Sequence, residues 1–406
     1  MNRLIVVGAG PAGLSLALQL ARGGQAVTLL DARRDFSRGF RGDALMPCGL
    51  EALARMGLMP LLDALPQRPL ADWQIWLEGR RLFSVPEPLG ALRPCTLVPQ
   101  QALLEAMLAA ARSLPCFQWQ PATAVSGPLL QNGRVAGVRL ADGSCLAADL
   151  VIACDGRESA LRQAAGLTLE ARGPALEVLW FQLPLPAAAA TADLQGFLTL
   201  VGGGAIASAC LGASGDLQLG WLLRPDAAPP QRSAAGWAEA IAALAPPALA
   251  ALLRQRGAAL SRPQRFRVQV GLAERWQRPG LLLLGDAAHP MSPVRAQGIN
   301  MALRDSLVAA QELLQTLAGN SGAAAMGDPG IQVQLDRACV RIEARRRPEI
   351  QRLQTLQLAE ARQGHWIGHT PLLRHGLALA APLLGPVARA VWTARQKPLR
   401  EGAVWL

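Results

Sequence analysis

The 406-residue sequence predicts an α/β chain in which a Rossmann-like sheet is interleaved with an antiparallel β-sheet and followed by a helical C-terminal region. Three observations predict it. A β-α-β unit with a glycine-rich turn opens the chain, strand-like runs fill residues 175–225, and helical patterns occupy most positions after about residue 300. The length fits two or three domains, and 51% hydrophobic residues suffice for large cores.

The N-terminal β-α-β unit is the clearest local prediction. Residues 3–8, RLIVVG, form a short apolar run typical of a buried parallel strand, and residues 26–31, AVTLLD, form the next one. Residues 11–23 between them predict a helix with an apolar face. Further helices are predicted over residues 47–56 and 99–112, the second with proline in its first turn.

An antiparallel insertion is predicted from short runs separated by turn residues. Residues 73–85 predict a hairpin, and residues 175–225 contain four strand-like runs. The later elements are a helical stretch over 233–256, a strand over 263–270, a buried strand over 281–284, a flexible loop over 318–330 and helices to the end.

Cysteine usage and charge exclude several classes of protein. The seven cysteines are scattered and form no C-x-x-C pair, which predicts reduced thiols in the cytoplasm, not a disulfide framework or zinc site. The chain leads directly into a strand without a charged leader, so we expect no export. The net charge is +11, and nearly all the basic residues are arginines, since Lys397 is the only lysine. The chain has no basic run interleaved with aromatic residues, so we expect no nucleic-acid binding.

The first motif that carries chemistry is the glycine-rich turn GAGPAG. Gly8 permits the tight turn, Gly10 lets the main chain approach a pyrophosphate, and Gly13 lets the helix pack closely. Asp31 ends the second strand, where a carboxylate accepts hydrogen bonds from an adenosine ribose. The motif alone leaves FAD and NAD(P) open. Arg33 and Arg34 are either solvated or a 2′-phosphate site.

Two later motifs also follow predicted strands. Asp155 and Gly156 come after the run DLVIAC, and Gly285 and Asp286 come directly after four leucines. Ligands of open α/β sheets bind beyond the carboxyl ends of the strands. A helix begins close to Asn300, and a helix N-terminus stabilises negative charge. We therefore expect these segments and the glycine-rich turn to meet at one site.

Together the three motifs resemble those of the aromatic hydroxylase family of single-component FAD monooxygenases, which have the p-hydroxybenzoate hydroxylase-like fold. Gly-x-Gly-x-x-Gly near the start, Asp-Gly in the middle and Gly-Asp-Ala-Ala-His-Pro late in the chain fall at family-like intervals. The resemblance implies a discontinuous FAD-binding domain (1–72, 96–174 and 262–330), a substrate-binding β-sheet domain (73–95 and 175–261) and a C-terminal helical region (331–406).

The resemblance also implies a role for each matching position. Asp286 would hold the ribityl chain, Pro293 would lie beside the isoalloxazine ring, and the following helix would direct N–H groups at N1 and the C2 carbonyl, because reduced flavin is anionic. Arg41 and Gln100 match cofactor-facing positions of the family or are surface residues. The residues expected at the cofactor are Gly8, Gly10, Ala12, Gly13, Asp31, Ala32, Arg33, Arg41, Gln100, Asp155, Gly156, Gly285, Asp286, Pro293, Gly298, Ile299 and Asn300.

Two departures from the family pattern bear on the chemistry. The family has glycine near Arg295, beside the ring, and a bulky cation there would alter flavin mobility or contact substrate. The chain has no tyrosine, which excludes activation of a phenol by a tyrosine relay and leaves the catalytic side chains unidentified. We expect His289 to have a structural role, bonded to the main chain. The remaining histidines have no metal-ligand spacing and predict no metal site; they are His365, His369 and His375.

The function implied by the resemblance is that of an FAD-dependent monooxygenase. NADPH or NADH would reduce the flavin, and a flavin C4a-hydroperoxide would then hydroxylate or epoxidise the substrate. Few charges lie in the insertion, so we expect a hydrophobic aromatic, polycyclic or isoprenoid substrate. The large residues expected to line its pocket or the core are Trp73, Trp76, Trp180, Phe181, Phe197 and Trp221.

Two alternatives stay open on the same fold. One is an FAD-dependent prenyl-chain reductase or non-oxygenating cyclase, and the other is a flavin-binding partner protein without turnover. Flavin halogenases are excluded because they need a catalytic lysine and a Trp-x-Trp-x-Ile-Pro motif. The only lysine here, Lys397, lies near the C-terminus, and the motif is absent.

A membrane contact is the last expectation from the sequence. Residues 375–392 are strongly apolar, but Pro382, Pro386 and Arg389 argue against a helix that spans a bilayer. We expect a core-packing or interfacial segment, and therefore a cytoplasmic chain that is either free or in peripheral contact with a membrane through its C-terminal helices.

Overall fold

The computed structural model describes residues 3–37, 43–91, 93–186, 194–223, 230–318 and 327–402. The helices in these ranges are α1 (Pro11–Arg22), α2 (Pro47–Arg55), α3 (Met59–Asp63), α4 (Gln100–Arg112), α5 (Ala160–Ala164), α6 (Ala234–Ala242), α7 (Pro247–Arg256), α8 (Gln297–Ala318), α9 (Pro329–His369), α10 (Pro371–Leu379) and α11 (Ala381–Glu401).

The strands are β1 (Arg3–Val7), β2 (Ala26–Leu30), β3 (Ala44–Leu45), β4 (Arg68–Pro69), β5 (Asp72–Leu77), β6 (Arg80–Pro86), β7 (Thr96–Leu97), β8 (Phe117–Gln120), β9 (Val125–Gln131), β10 (Arg134–Leu140), β11 (Cys145–Ala147), β12 (Leu150–Ala153), β13 (Leu169–Ala171), β14 (Leu176–Leu183), β15 (Phe197–Gly202), β16 (Ala205–Leu211), β17 (Leu217–Leu223), β18 (Gln264–Val268), β19 (Gly271–Ala273), β20 (Gln277–Arg278) and β21 (Leu281–Leu283).

A six-stranded sheet forms the Rossmann-like part of the chain. Its order is β20-β21-β12-β1-β2-β8, and every pair except β20–β21 is parallel. Strands β12 and β21 are apolar and buried along their whole length, as expected for parallel strands covered on both faces. Helices α1 and α8 pack against each other over this sheet. The carboxyl ends of β1, β2, β12 and β21 therefore lie along one edge.

A seven-stranded sheet forms the insertion. Its order is β18-β14-β17-β16-β15-β5-β6, and it is antiparallel except for the β5–β15 pair. One face packs on α6 and α7 through a buried cluster that includes Phe181 and Trp237, whose ring centroids lie 5.2 Å apart. The predicted hairpin joins this sheet through β5, which places β6 at its edge.

The C-terminal helices lie outside both sheets. Helix α9 runs through Pro348, α10 follows it, and α11 packs along the edge strand β6. At the point of closest approach, a Cβ on Gly385 would lie 2.5 Å from the main-chain oxygen of Leu82. Among the described residues no helix alone has the length and apolarity to cross a bilayer; α10 and α11 have them only as a pair, bent by 102°.

Two local predictions needed correction. The helical stretch predicted over 233–256 is two helices, because Pro246 and Pro247 begin a new helix after α6. Helix α3 was not predicted. Helix α9 begins at Pro329, inside the predicted loop, where Asp328 accepts a hydrogen bond from the N–H of Ile331 and caps the helix. Residues 319–326 of that loop lie outside the described residues, and the domain boundaries stay a prediction.

All seven cysteines are free thiols, as the sequence predicts. Four of them are buried: Cys48, Cys95, Cys210 and Cys339. Burial raises the pKa of Cys48 and Cys210 to about 12, so neither thiol is ionised near neutral pH.

The contact between α11 and β6 yields a stability prediction. Gly385→Ala places a methyl group against the main chain of Leu82, which cannot rotate away, and should lower the free energy of unfolding by about 1–3 kcal/mol. Gly376→Ala in α10 is the matched control, since a Cβ there meets no atom within 4 Å and alanine favours helix. Thermal melts of both variants check this. Equal midpoints would show that α11 does not rest on β6.

Candidate cofactor and substrate site

The glycine-rich turn packs onto the carboxyl end of β12. A Cβ on Gly8, whose φ is +100°, would overlap the main-chain oxygen of Cys154, and a Cβ on Gly13 would overlap the oxygen of Gly8. By contrast, a Cβ on Gly10 would meet no atom within 4 Å. Gly10 thus borders open space at the start of α1, where no side chain caps the helix. This is the arrangement that lets a phosphate approach helix N–H groups.

Asp31 fixes the turn at the end of β2. Its carboxylate accepts hydrogen bonds from the N–H of Ala9 at 2.7 Å and of Arg33 at 2.8 Å, and the residue is buried. The carboxylate thus lies beside the turn, where the sequence predicts it. Ala32 and the side chain of Arg33 are exposed beyond it, so Arg33 enters the site only through its main chain.

The ends of β12 and β21 meet beside the same turn. Asp155 has a buried Oδ1 that finds no hydrogen-bond partner among the described residues, and burial raises the pKa of this carboxyl. Asp286 is half-buried and its carboxylate lies 3.0 Å from Nε of Arg157. Arg157 was not predicted as a site residue, although it follows the Asp-Gly motif directly. A Cβ on Gly285 would lie 3.2 Å from that of Ala12, so the third motif touches the first.

A buried ionic cluster holds the turn after β21. Asp305 on α8 accepts a hydrogen bond from the N–H of Gly285 at 3.1 Å and lies 2.6 Å from Nε2 of His289. Its other oxygen accepts from Arg346 of α9 at 2.8 Å, and Arg346 also pairs with Glu349. Burial alone raises the pKa of Asp305, but His289 and Arg346 more than offset this, and the net shift is downward. Asp305 is therefore ionised, and His289 donates to it.

His289 has the structural role that the sequence predicts, but with another partner. It bonds to a carboxylate, not to the main chain, and its ring lies 4.8 Å from that of Trp276. The exposed rings of His365 and His369 stack on α9 at 4.0 Å. No group of three or more histidine, cysteine, aspartate or glutamate side chains in the described part of the chain could hold a metal ion.

The segment expected beside the flavin ring runs from Pro293 to Asn300. Asn300 is fully buried: its amide oxygen accepts from the N–H of Met46 at 2.8 Å, and its amide nitrogen donates to the oxygens of Ala44 and Ala296. The segment is thereby tied to β3. The side chain of Ile299 lies in the core, so only its main chain could serve a cofactor. Around Gly298, by contrast, a Cβ would meet nothing within 4 Å, and residues 293–296 are partly exposed, although Gln297 is buried.

Arg295 adopts the left-handed conformation that glycine favours, with φ 61° and ψ 27°. Its guanidinium lies 5.0 Å from the ring centroids of both Trp73 on β5 and Trp392 on α11. Two of its nitrogens also contact Oε1 of Glu360, at 2.5 and 2.9 Å. Cation–π contacts and an ion pair thus offset the backbone strain, which costs on the order of 1–3 kcal/mol. Arg295, at a position where the family has glycine, thus anchors the ring segment (residues 293–300) to the C-terminal helices.

Asp43 is a site residue that the sequence analysis missed. Its carboxylate accepts hydrogen bonds from Nε2 of Gln218 at 3.1 Å and, weakly, from the N–H of Gln100 at 3.4 Å. Burial raises the pKa of Asp43 to about 6. Gln218 belongs to the seven-stranded sheet, whereas Asp43 directly precedes β3, which Asn300 binds. The one sequence signal for Asp43 is an acidic side chain two residues after Arg41. Arg41 lies outside the described residues.

One face of the seven-stranded sheet looks toward these groups. Its register aligns Ile75 with Thr199, Thr199 with Ser208, Ser208 with Gly220, and Gly220 with Trp180. Apart from Gly220, these residues are only partly buried. Strand alternation puts three of the six large aromatics on this face and three on the face toward α6 and α7. The first three are Trp73, Trp180 and Phe197, and the others are Trp76, Phe181 and Trp221.

The residues present fit an elongated dinucleotide at the sheet edge. Open space at Gly10, a carboxylate at Asp31 and a buried unpartnered oxygen on Asp155 are the features that a polar ligand there would use. The structure brings together all three motifs of the sequence analysis. Ala32 lies on the surface, and Gln100 contacts Asp43 through its main-chain N–H.

Comparison with known proteins agrees with this geometry. A family model described as FAD binding domain matches residues 2–327. The 6-methylpretetramide 4-monooxygenase of Streptomyces rimosus is 33% identical over 369 residues, which cover 88% of this chain and 83% of that protein. The ubiquinone hydroxylase UbiL of Rhodospirillum rubrum is 29% identical over 350 residues, covering 80% and 75%.

A likeness to solved structures confirms the fold class. The crystal structure of PqsL from Pseudomonas aeruginosa, described as a probable FAD-dependent monooxygenase, superposes with a TM-score of 0.75. The match covers 93% of this chain and 99% of that one at 19% identity. At this identity it supports the fold alone. The p-hydroxybenzoate hydroxylase-like architecture expected from the three motifs is confirmed.

The two glycines of the turn yield a prediction with separable readouts. Gly10→Ala should leave the stability of the apo-protein unchanged, because the added Cβ meets nothing, yet weaken FAD binding by about tenfold or more. Gly13→Ala should instead destabilise the apo-protein by about 1–3 kcal/mol, because its Cβ overlaps the main chain of Gly8. Thermal melts of apo-protein and FAD titrations distinguish the two effects. Unchanged FAD affinity in Gly10→Ala would place the phosphates elsewhere.

Proposed function

The chain belongs to the FAD-binding-domain family of class A, single-component FAD-dependent monooxygenases, and from this premise we propose that it hydroxylates or epoxidises a hydrophobic aromatic, polycyclic or isoprenoid substrate. NADPH or NADH would serve as reductant. When bound, FAD would accept a hydride from the nicotinamide and supply the activated oxygen. The observation that carries the proposal is a partly exposed sheet face with aromatic residues, opposite a ring segment anchored at Asn300.

The parallel-sheet edge would hold the cofactor. The N–H groups at the start of α1 would bind the pyrophosphate, Asp31 the adenosine ribose, and Asp286 the ribityl chain. Arg157, paired with Asp286, would keep that carboxylate oriented. The N-terminus of α8 would stabilise negative charge on the reduced ring. Buried Asp305, which accepts a hydrogen bond from the N–H of Gly285, would position the turn that carries Asp286.

The seven-stranded sheet would hold the substrate. On the face that carries Ser208, Trp180 and Phe197 are partly exposed, whereas Trp73 is buried in contact with Arg295. Partly exposed aromatic rings beside small side chains suit a flat apolar molecule. No charged side chain is part of the aligned row on this face in the described strands. Two relatives bear names that refer to 6-methylpretetramide and ubiquinone, which agrees with a substrate of this class.

Asp43 would move the proton on the substrate side. Its carboxylate accepts a hydrogen bond from Gln218 of the seven-stranded sheet, which orients it. We propose that its carboxylate oxygen accepts the proton from a substrate hydroxyl, which makes the ring or enol more electron-rich. Since the chain has no tyrosine, Asp43 takes the place that a tyrosine relay would fill.

We further propose a cytoplasmic location with peripheral membrane contact through the C-terminal helices. The free thiols agree with a reducing compartment. A hydrophobic substrate of the proposed class would partition into lipid, where such a contact would reach it.

The proposed reaction has a direct test. Protein reconstituted with FAD should oxidise NADPH or NADH faster when a quinone or polycyclic phenol is present, and product should gain one oxygen atom from ¹⁸O₂. Product formed equally well without oxygen would favour the prenyl-chain reductase or cyclase. Absence of turnover with intact FAD binding, over a broad panel of such substrates, would favour a flavin-binding partner protein.

The pH dependence tests Asp43. Because the active form is the carboxylate and its pKa is raised to about 6, turnover should fall as pH drops through about 6. Asp43→Asn should lower kcat by about 100-fold and remove this limb, whereas Asp43→Glu should retain it. Asp142→Asn, at an exposed turn, is the control. An acid limb that persists in Asp43→Asn would assign the proton transfer to another group.

A further inference from the structure

The C-terminal helices carry the main exposed apolar surface of the described chain. Strongly exposed large hydrophobic side chains occur elsewhere in the described residues only at Leu130, Val333 and Val340. All the others lie between residues 366 and 391, and Leu372 and Leu383 are 89% and 82% exposed. The members of this outer face are Trp366, Leu372, Leu379, Leu383, Leu384, Val387 and Val391.

Helix α11 has two distinct faces. Leu383, Leu384, Val387 and Val391 recur at helical spacing and form one exposed stripe. The opposite stripe is buried against the protein: Gly385 touches β6, Gln396 donates to Glu360, and Leu399 accepts a hydrogen bond from Gln297 at 2.6 Å. Because the inner stripe already holds the helix in place, the outer stripe is free to contact something else.

The charges within the segment that carries the outer face have one sign. Between Glu360 and Glu401 the sequence contains six basic residues and no acidic one. Two of the six are buried and paired, Arg374 with Glu78 and Arg400 with Glu87. The other four are exposed: Arg362, Arg389, Arg395 and Lys397. An apolar stripe flanked by cations is complementary to the anionic surface of a lipid bilayer.

We propose that the outer face of α10 and α11 docks on the surface of an anionic lipid bilayer. Leucine and valine side chains would enter the boundary between headgroups and acyl chains, and the exposed cations would contact lipid phosphates. A second copy of the chain fits less well, since a two-fold contact would bring the same cations against each other. The bend of 102° between the helices argues against insertion across the bilayer.

Docking would bring the lipid surface close to the ring segment. The inner stripe of α11 contacts Arg295 through Trp392 and Gln297 through Leu399, and both of these partners belong to the segment expected beside the flavin. A hydrophobic substrate dissolved in lipid would then lie one helix away from the site. The biological role of the docking rests on the proposed function.

Vesicle flotation with the full-length FAD-loaded protein tests the docking. We expect binding to vesicles of phosphatidylcholine with 30% phosphatidylglycerol, weaker binding to pure phosphatidylcholine, and loss at high salt. Arg395→Gln with Lys397→Gln should weaken binding by about fivefold for each charge removed. Leu372→Gln with Leu383→Gln and Val387→Gln should abolish it.

A matched control keeps the test specific. Leu130→Gln with Val333→Gln and Val340→Gln replaces three apolar side chains outside the outer face that are 49%, 49% and 51% exposed, and should leave flotation unchanged. Equal loss in this control, no flotation of the native protein, or a dimer that the outer-face variant converts to monomer without affecting flotation would overturn the proposal. FAD content and NAD(P)H oxidation with a water-soluble substrate, measured without vesicles, report separately on the proposed function.

Discussion

The bond between Asp305 and the turn after β21 is the interaction on which the site depends. One carboxylate receives the N–H of Gly285, the imidazole of His289 and the guanidinium of Arg346. It thereby joins the end of a sheet strand to α8 and α9 inside the core. Removing one partner of a buried charge cluster of this kind costs about 3–5 kcal/mol, because the remaining charge stays desolvated. The position of Asp286 follows from this bond.

The site is built where two sheets of different design meet. The parallel sheet ends its strands at one edge and offers main-chain N–H groups, glycines and carboxylates there, which suits a charged and extended cofactor. The antiparallel sheet contributes one of its faces to the site. The alternation of side chains along its strands places some aromatic residues on that face and the others on the face that packs against α6 and α7. Asp43 and Gln218 join the two across the gap. A polar cofactor and an apolar substrate can therefore be served by surfaces that do not compete.

The sequence predicts most of this architecture because its signals are local. Glycine spacing, an acidic residue at a strand end and period-two runs each depend on neighbouring residues, and they placed the β-α-β unit, the sheet strands and the three motifs correctly. The pairing of Asp43 with Gln218, 175 positions away, has no local signal, and neither does that of Arg157 with Asp286. Arg295 shows the same limit: the sequence predicts a cation that alters flavin mobility or contacts substrate, but not its partners Trp73, Trp392 and Glu360, which come from three distant segments.

The placement of Arg295 between two indoles has an optical consequence. With no tyrosine in the chain, ultraviolet emission comes from its ten tryptophans, and two of them flank this one guanidinium. A charged neighbour shifts the emission wavelength of an indole, so any movement of the segment changes the spectrum of Trp73 and Trp392 together. The protein thus carries a built-in spectroscopic reporter of the loop, readable without any label.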